Sequence, residues 1–254
     1  MATNEQSVTL LRINKRAQVD ALNSLGYDLT EGARASEFPD LVRWAAGLLD
    51  LTIAANRKSD NRKFFFTLEE WQSLSATEQD LFLLRGIRVR AWAHSFIVAP
   101  DNITNKAWGS SRNLGNAYNF ASKHDVYEYY DAEDATSVII DGYSDVTSGS
   151  VVGAPAAEAA RAYKVFTQER DGLEDDTVWS LPTFAQLTLI YRFRTEIEAI
   201  ITAAWSSDFK FLNQQYWSSC QWDSGSAYRL DFNIGSGYPE NKTQLKCVRP
   251  VALN

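Results

Sequence analysis

Few residues in this chain are of types that do chemistry, and their spacing limits what they can do. Cys220 and Cys247 are its 2 cysteines. Each falls in a short strand-like segment, Tyr216–Cys220 and Cys247–Val251. A bridge forms if the register sets the two strands opposite each other; two buried free thiols are the other outcome, favoured for a cytoplasmic product. A nucleophilic or redox thiol needs an activating cleft, and thiols in strand segments of this kind are structural. His94 and His124 are the 2 histidines, with no cysteine or second ligand at metal spacing, so they are read as ordinary histidines. The paired carboxylates Glu69-Glu70 and Asp175-Asp176 fit helix caps and turns better than general acid–base work, which needs perturbed groups converging in a pocket. The residues therefore point to a protein that is not an enzyme and has no cofactor or metal.

Composition sets the frame for those residues. With 254 residues, 45% hydrophobic and 13% aromatic, the chain can bury a proper core in one large or two smaller domains. The net charge of -7 argues against a nucleic-acid partner, which requires a concentrated positive face. Arg57, Lys58, Arg62 and Lys63 form the one basic cluster, and they read as a solvated loop. The polar start Met1-Ala2-Thr3-Asn4-Glu5-Gln6 has no apolar signal core. The apolar run Trp44–Ala55, read as the most apolar helix, is interrupted by Asp50 and too short to span a bilayer. Cytoplasmic synthesis without membrane insertion is expected.

The elements follow from periodicity. Ile13, Ala17, Ala21, Leu22 and Leu25 recur at helical spacing, closed by Gly26. Ser36, Pro39 and the stripe Phe38, Leu41, Val42, Ala45, Leu48 and Leu49 mark a second helix. Two such faces cannot cover each other alone, so residues 1–60 read as a helical attachment or oligomerisation segment. The polar stretch Arg57–Lys63 marks the boundary, and 61–254 forms the main domain. There, Phe64-Phe65-Phe66 reads as a buried strand. Thr67–Glu70 and Ser75–Glu78 are capping boxes for helix running to about Leu84, which Gly86 ends. Ile87–Trp92 and Phe96–Ala99 make a hairpin. Residues 101–153 read as a loop-rich insertion with one strand candidate at Val138-Ile139-Ile140. Pro155 opens an alanine-rich helix, Val178–Leu181 is a short strand, and Pro182 starts a long core helix through Ala204. Tyr216–Ser219, Ala227–Gly235 and Lys246–Val251 give an antiparallel sheet with one exposed face or edge. The fold class is α+β.

Taken together, Trp179-Ser180-Leu181-Pro182, Tyr216-Trp217-Ser218-Ser219, the tyrosine-bearing alternating strand and Val248-Arg249-Pro250-Val251 resemble the C-terminal end of C-type-lectin-fold proteins of gut Bacteroidetes and their bacteriophages. Phe66–Trp71, Gly86–Ala91 and Gly153–Ala159 resemble recurring segments of phage proteins carrying this domain, crAss-like phages included, and the helical beginning is similar to that of phage fibre proteins. The resemblance covers most of the chain outside roughly 101–150. It implies a C-type-lectin-like domain whose segment between the Trp-Ser-Ser and Val-Arg strands is the binding face. On that face Trp222, Asp223, Tyr228, Arg229, Asp231, Asn233, Tyr238 and Asn241 become the candidate contacts. Aromatic faces would stack on sugars or apolar patches and polar groups would direct hydrogen bonds. Leu230, Phe232 and Ile234 are expected in the core, with Trp217. The calcium-dependent members' acidic-Pro-Asn run and Trp-Asn-Asp triplet are missing. Pro239-Glu240-Asn241 and Trp222-Asp223 stand in the wrong order, so no calcium is expected.

The resemblance implies a virion structural protein, a head or tail fibre or decoration subunit. Its first helices would bind copies of itself, as a homotrimer by the fibre analogy, or other virion proteins. Its lectin-like domain would contact a host surface glycan or protein, or a neighbouring subunit. A bacterial surface adhesin of the same fold is the alternative, disfavoured by the signal-free start. A formylglycine-generating type of oxidase is a third reading, disfavoured by the placement of Cys220 and Cys247.

Overall fold

The computed structural model describes residues 49–91, 94–115, 123–167, 171–205 and 214–253; the helices expected before residue 49 lie outside the described residues. The chain divides into two compact units, Met1–Asp50 with Arg90–His94 and Leu51–Val89 with Ser95–Asn254. The second holds nearly all the described residues and builds two sheets with flanking helices, a mixed α+β architecture.

The apolar run read as a helix through Ala55 is instead strand β1, Leu49–Arg57. In the sheet it lies between β2 (Lys63–Phe66) and β3 (Phe82–Ala91). A strand enclosed in this way shows an unbroken buried run rather than alternation: Ile53, Ala54, Ala55 and Asn56 are all buried. The polar stretch expected to separate domains is the turn of the β1–β2 hairpin, whose antiparallel register runs from Ile53↔Phe66 to Asn56↔Lys63. Asn61, at φ 58°, supplies the left-handed residue the turn requires. A boundary at residue 60 therefore falls inside a hairpin. Phe64 and Phe66 are half-buried rather than buried, and their rings pack with Trp71 and Phe82.

Both capping boxes form. Thr67 Oγ1 accepts from the Glu70 amide at 3.1 Å while Glu70 Oε2 accepts from the Thr67 amide at 2.7 Å, opening α1 (Leu68–Ser73). Ser75 and Glu78 do the same for α2 (Ala76–Gln79). Helix stops there, earlier than expected. Gly86 is no helix end; it lies within β3, where a Cβ would sit 2.2 Å from the Val98 carbonyl oxygen. Strand β4 (His94–Val98) follows, and the first sheet runs β2-β1-β3-β4-β11-β6, with β6 at Trp179–Ser180 and β11 at Val251–Leu253.

The second sheet runs β5-β10-β7-β8-β9. Its strands are β5 (Ile103–Ala107), β7 (Gln215–Gln221), β8 (Ser226–Asp231), β9 (Ser236–Asn241) and β10 (Leu245–Val248). It is not wholly antiparallel, because β10 pairs with β7 in parallel through Cys247↔Tyr216. Residues 101–153 carry more structure than expected: β5, α3 (Lys123–Glu128) and α4 (Ala132–Gly142). Val138-Ile139-Ile140 belongs to α4. Asp131 Oδ1 caps that helix by accepting from the Asp134 amide at 3.0 Å, and Ala132, Ala135, Thr136 and Ile139 bury one helical face.

Helix α5 (Pro155–Arg161) starts on its proline. Its Ala156, Ala157 and Ala160 share one core cluster with Trp108, Tyr143, Leu181, Trp217 and Val248. The long helix expected from Pro182 divides at Phe193 into α6 (Phe184–Arg192) and α7 (Arg194–Ala204). Thr183 and Gln186 cap α6 reciprocally, at 2.9 and 3.2 Å.

Candidate recognition face

Strands β7, β8 and β9 divide the expected contact residues between two faces. The register Arg229↔Tyr238 and Asp231↔Ser236 on one side, with Gln215↔Asp231 on the other, sets Arg229, Asp231, Gln215 and Tyr238 on one face. Tyr228 and Leu230 point to the opposite face, toward α6. There Tyr228 is buried against the rings of Phe184 and Trp222, at 5.3 and 5.6 Å. It is a packing residue, and burial, then Cys220 and Tyr127, push its hydroxyl up to about 12. Phe184 reaches β9 because Gly237 leaves the space: a Cβ there would lie 2.2 Å from Phe184 Cζ.

The first face carries a joined set of charges. Arg229 Nη1 lies 3.4 Å from Asp231 Oδ2, and Arg229 Nη2 lies 3.9 Å from Glu240 Oε2, which is also 3.9 Å from Lys246 Nζ. Gln215 Nε2 donates to Asp231 Oδ2 at 2.9 Å. The guanidinium carbon of Arg229 lies 4.7 Å from the centre of the Tyr238 ring, and Tyr238 is 40% exposed. Burial works against ionisation of Asp231, but the Gln215 amide, the Asn233 amide and Arg229 outweigh it and hold its carboxyl low. Beside this set a groove of about 310 Å³ is lined by Asn105, Gln215, Asp231, Asn233, Lys246 and Cys247, among others.

Three expected contacts prove to be turn formers. Asp223 Oδ1 accepts from the Gly225 and Ser226 amides at 2.8 and 2.7 Å. Asp231 Oδ1 accepts from Asn233 at 3.0 Å, and Asn241 Oδ1 accepts from Thr243 at 2.9 Å. Trp222 is half-buried and Asn233 exposed. Ile234, expected in the core, is 61% exposed. Strand β8 ends at Asp231, and Gly235, at φ 68°, turns the chain before the alternation can continue. Leu230, Phe232 and Trp217 are in the core as expected.

Both cysteines are free and buried. Cys247 sits opposite Tyr216, so Cys220 lies four residues further along β7, roughly 13 Å at strand rise and beyond disulfide reach. Burial pushes the Cys220 thiol up to about 12 and raises that of Cys247.

Glu240, Lys246 and Gln215 were not among the expected contacts, and β9 is hidden in the sequence because Ser236-Gly237-Tyr238-Pro239 carries turn residues, although proline suits an edge strand. Buried cations also carry no mark in the sequence, Arg249 and Lys242 among them. Arg249 is fully buried, its Nη1 donating to Asn102 Oδ1 at 2.9 Å. Burial draws it down to about 10 against the opposing influence of Tyr216, Tyr163, Asp101 and Glu198. Lys242, also fully buried, donates to three oxygens at the foot of the 222–225 turn. Among the described residues no group of His, Cys, Asp and Glu is arranged to hold a metal ion, and no helix is long and apolar enough to cross a membrane.

No family model matches the chain, and no curated protein matches it. Among solved structures it is similar to a fimbrial protein from Bacteroides ovatus ATCC 8483, at 12% identity and a TM-score of 0.45, over 63% of this chain and 36% of that one. Similarity at that level does not define a shared fold.

Proposed function

We propose that this chain is a non-catalytic structural protein of a phage virion, a fibre or decoration subunit whose second unit is a C-type-lectin-like display domain. The observation that carries the binding role is the Arg229–Asp231–Glu240–Lys246 set with Tyr238 on one sheet face. Its side chains hold one another in place, so a partner meets a preformed arrangement and little ordering entropy is lost on contact. Strand β11 joins the first sheet between β4 and β6. The chain leaves the first sheet for β5, returns at β6, leaves again for β7 to β10 and returns at β11, so the second sheet is anchored to the first at both ends, an arrangement suited to display. The partner is a host-surface glycan or protein, or a neighbouring virion subunit. Attachment and self-association, as a homotrimer, fall to the segment before residue 49.

Gold labelling of purified particles with antiserum to the recombinant protein tests this reading. Label at defined head or tail positions is expected. Unlabelled intact and disrupted particles, with gold on the bacterial surface instead, would replace it with a surface adhesin.

A further inference from the structure

The turn between β7 and β8 does not stand alone. Lys242, between β9 and β10, sends its side chain under it. Its Nζ donates to the Gln221 amide oxygen at 2.6 Å, the Arg112 carbonyl at 2.7 Å and the Ser224 carbonyl at 3.1 Å. The fourth side of the amine is the Trp108 indole, whose ring centre lies 4.7 Å away. The Lys242 backbone joins the same segments: its amide donates to the Gly225 carbonyl at 3.0 Å, and its carbonyl accepts from Trp108 at 2.8 Å and Gly109 at 3.3 Å. Arg112 N also donates to the Ser224 carbonyl at 2.7 Å, and Gln221 Nε2 to Asn113 Oδ1 at 3.1 Å.

A lysine this deeply buried needs a reason, because an ammonium taken from water without matched acceptors is strongly disfavoured. Here the three N–H donors meet three oxygens drawn from two chain segments, and an aromatic face closes the remainder. That is the task a bound metal ion performs in loop-rich domains: one centre collects oxygens from strands of chain that have no regular pairing. The Arg112 carbonyl has no ladder to join at this position; Lys242 supplies its partner and shares the Ser224 carbonyl with the Arg112 amide.

We infer that Lys242 is a built-in tether that fixes the 221–226 turn and the 108–113 segment in one conformation, so that the display surface is preformed without a metal ion. That the fixed turn serves recognition rests on the function proposed above; the tether itself does not.

Hydrogen exchange on the full chain separates the two. In Lys242→Met, which keeps the length of the side chain and removes its donors, amides in 109–113 and 222–226 should exchange at least tenfold faster, while Ile53–Asn56 and Phe96–Val98 in the first sheet keep wild-type protection. Wild-type protection of both loops in folded Lys242→Met overturns the inference. So does loosening of wild-type loops by EDTA to the extent seen in the variant, since a metal would then be the organiser. If Lys242→Met does not fold, Gln221→Leu removes one acceptor; faster exchange confined to the same two loops supports the tether, and unchanged exchange overturns it. These readouts stand whether or not the protein is found on a virion.

Discussion

Arg229 and Tyr238 face each other across β8 and β9 as register partners, with the guanidinium carbon 4.7 Å from the ring centre. Aromatic and cation thereby shape one surface. The arginine's fork reaches toward Asp231 and Glu240, and its plane supports the tyrosine that remains exposed.

Replacing Arg229 with methionine leaves Asp231 and Glu240 as neighbouring carboxylates without their shared cation. Because the Arg229 side chain is only 9% exposed, a loss of about 1–3 kcal/mol is expected, as for breaking a hydrogen-bonded, partly buried pair. Thermal unfolding measures it. Arg229→Lys should recover charge but not the bidentate reach or the stacking, and so restore less than half; full recovery would mean that charge alone matters here.

Two glycines differ in what blocks a side chain. At Gly237 the obstacle is the end of the Phe184 ring, while at Gly86 it is the Val98 carbonyl oxygen, each 2.2 Å from the added Cβ. A ring can tilt, but a carbonyl within a sheet cannot move without its strand. Gly237→Ala should cost about 1–2 kcal/mol and Gly86→Ala about 3 kcal/mol or more. A Phe184→Leu background should absorb part of the Gly237→Ala cost and none of the Gly86→Ala cost, read from denaturant midpoints in a double-mutant cycle. Equal rescue at both sites would contradict this account.

The thiols should stay silent in the folded protein. Cys220 is fully buried, with Sγ 3.5 Å from the Phe184 amide, and its thiol is pushed up to about 12; Cys247 is 6% exposed and also raised. Little thiolate forms at pH 8, so an aromatic disulfide reagent should titrate both cysteines only after unfolding without reductant. Fewer than two thiols in denaturant would reveal a bridge or an oxidised cysteine.

Lys242 gives the stability a pH signature. Burial, opposed by Asp223, draws its amine from 10.5 down to about 7. Between those values the unfolded chain binds more protons than the folded one, so this group makes stability rise with pH across that window. Below about 7 both states carry the proton, and its contribution is flat. The denaturant midpoint of the wild type should therefore climb from pH 7 to 9 relative to Lys242→Met. Parallel profiles would show that Lys242 titrates normally.

Local signals in the sequence were legible where the physics is local. Thr67–Glu70 and Ser75–Glu78 announce helix starts because a cap needs only residues within one turn, and both form. Leu49–Arg57 misleads because neighbours on both sides remove the alternation that marks a half-exposed strand. Val138-Ile139-Ile140 misleads through β-branched side chains, whose weak preference gives way to the Asp131 cap and the alanine face of α4. Of the recognition face, the alternation through Tyr228, Arg229 and Asp231 was visible, but which alternate pointed outward was not. Tyr228 is amphipathic, and Arg229 is neutralised by Asp231 two residues along its own strand and by Glu240 on β9, so neither reveals its side until the register is fixed. Lys242 gives no sequence signal, since a lysine between polar residues reads as solvated.

The position of β11 bears on how this protein reaches its structure in time. Val251 pairs with both Val98 and Ser180, so the first sheet remains split until β11 has settled between strands formed from much earlier residues. Contacts so distant in sequence make for slow folding, because loop closure must precede any gain from the pairing. Until that closure, β4 and β6 present bare edges, and a partly made chain at high concentration is open to strand exchange with its neighbours.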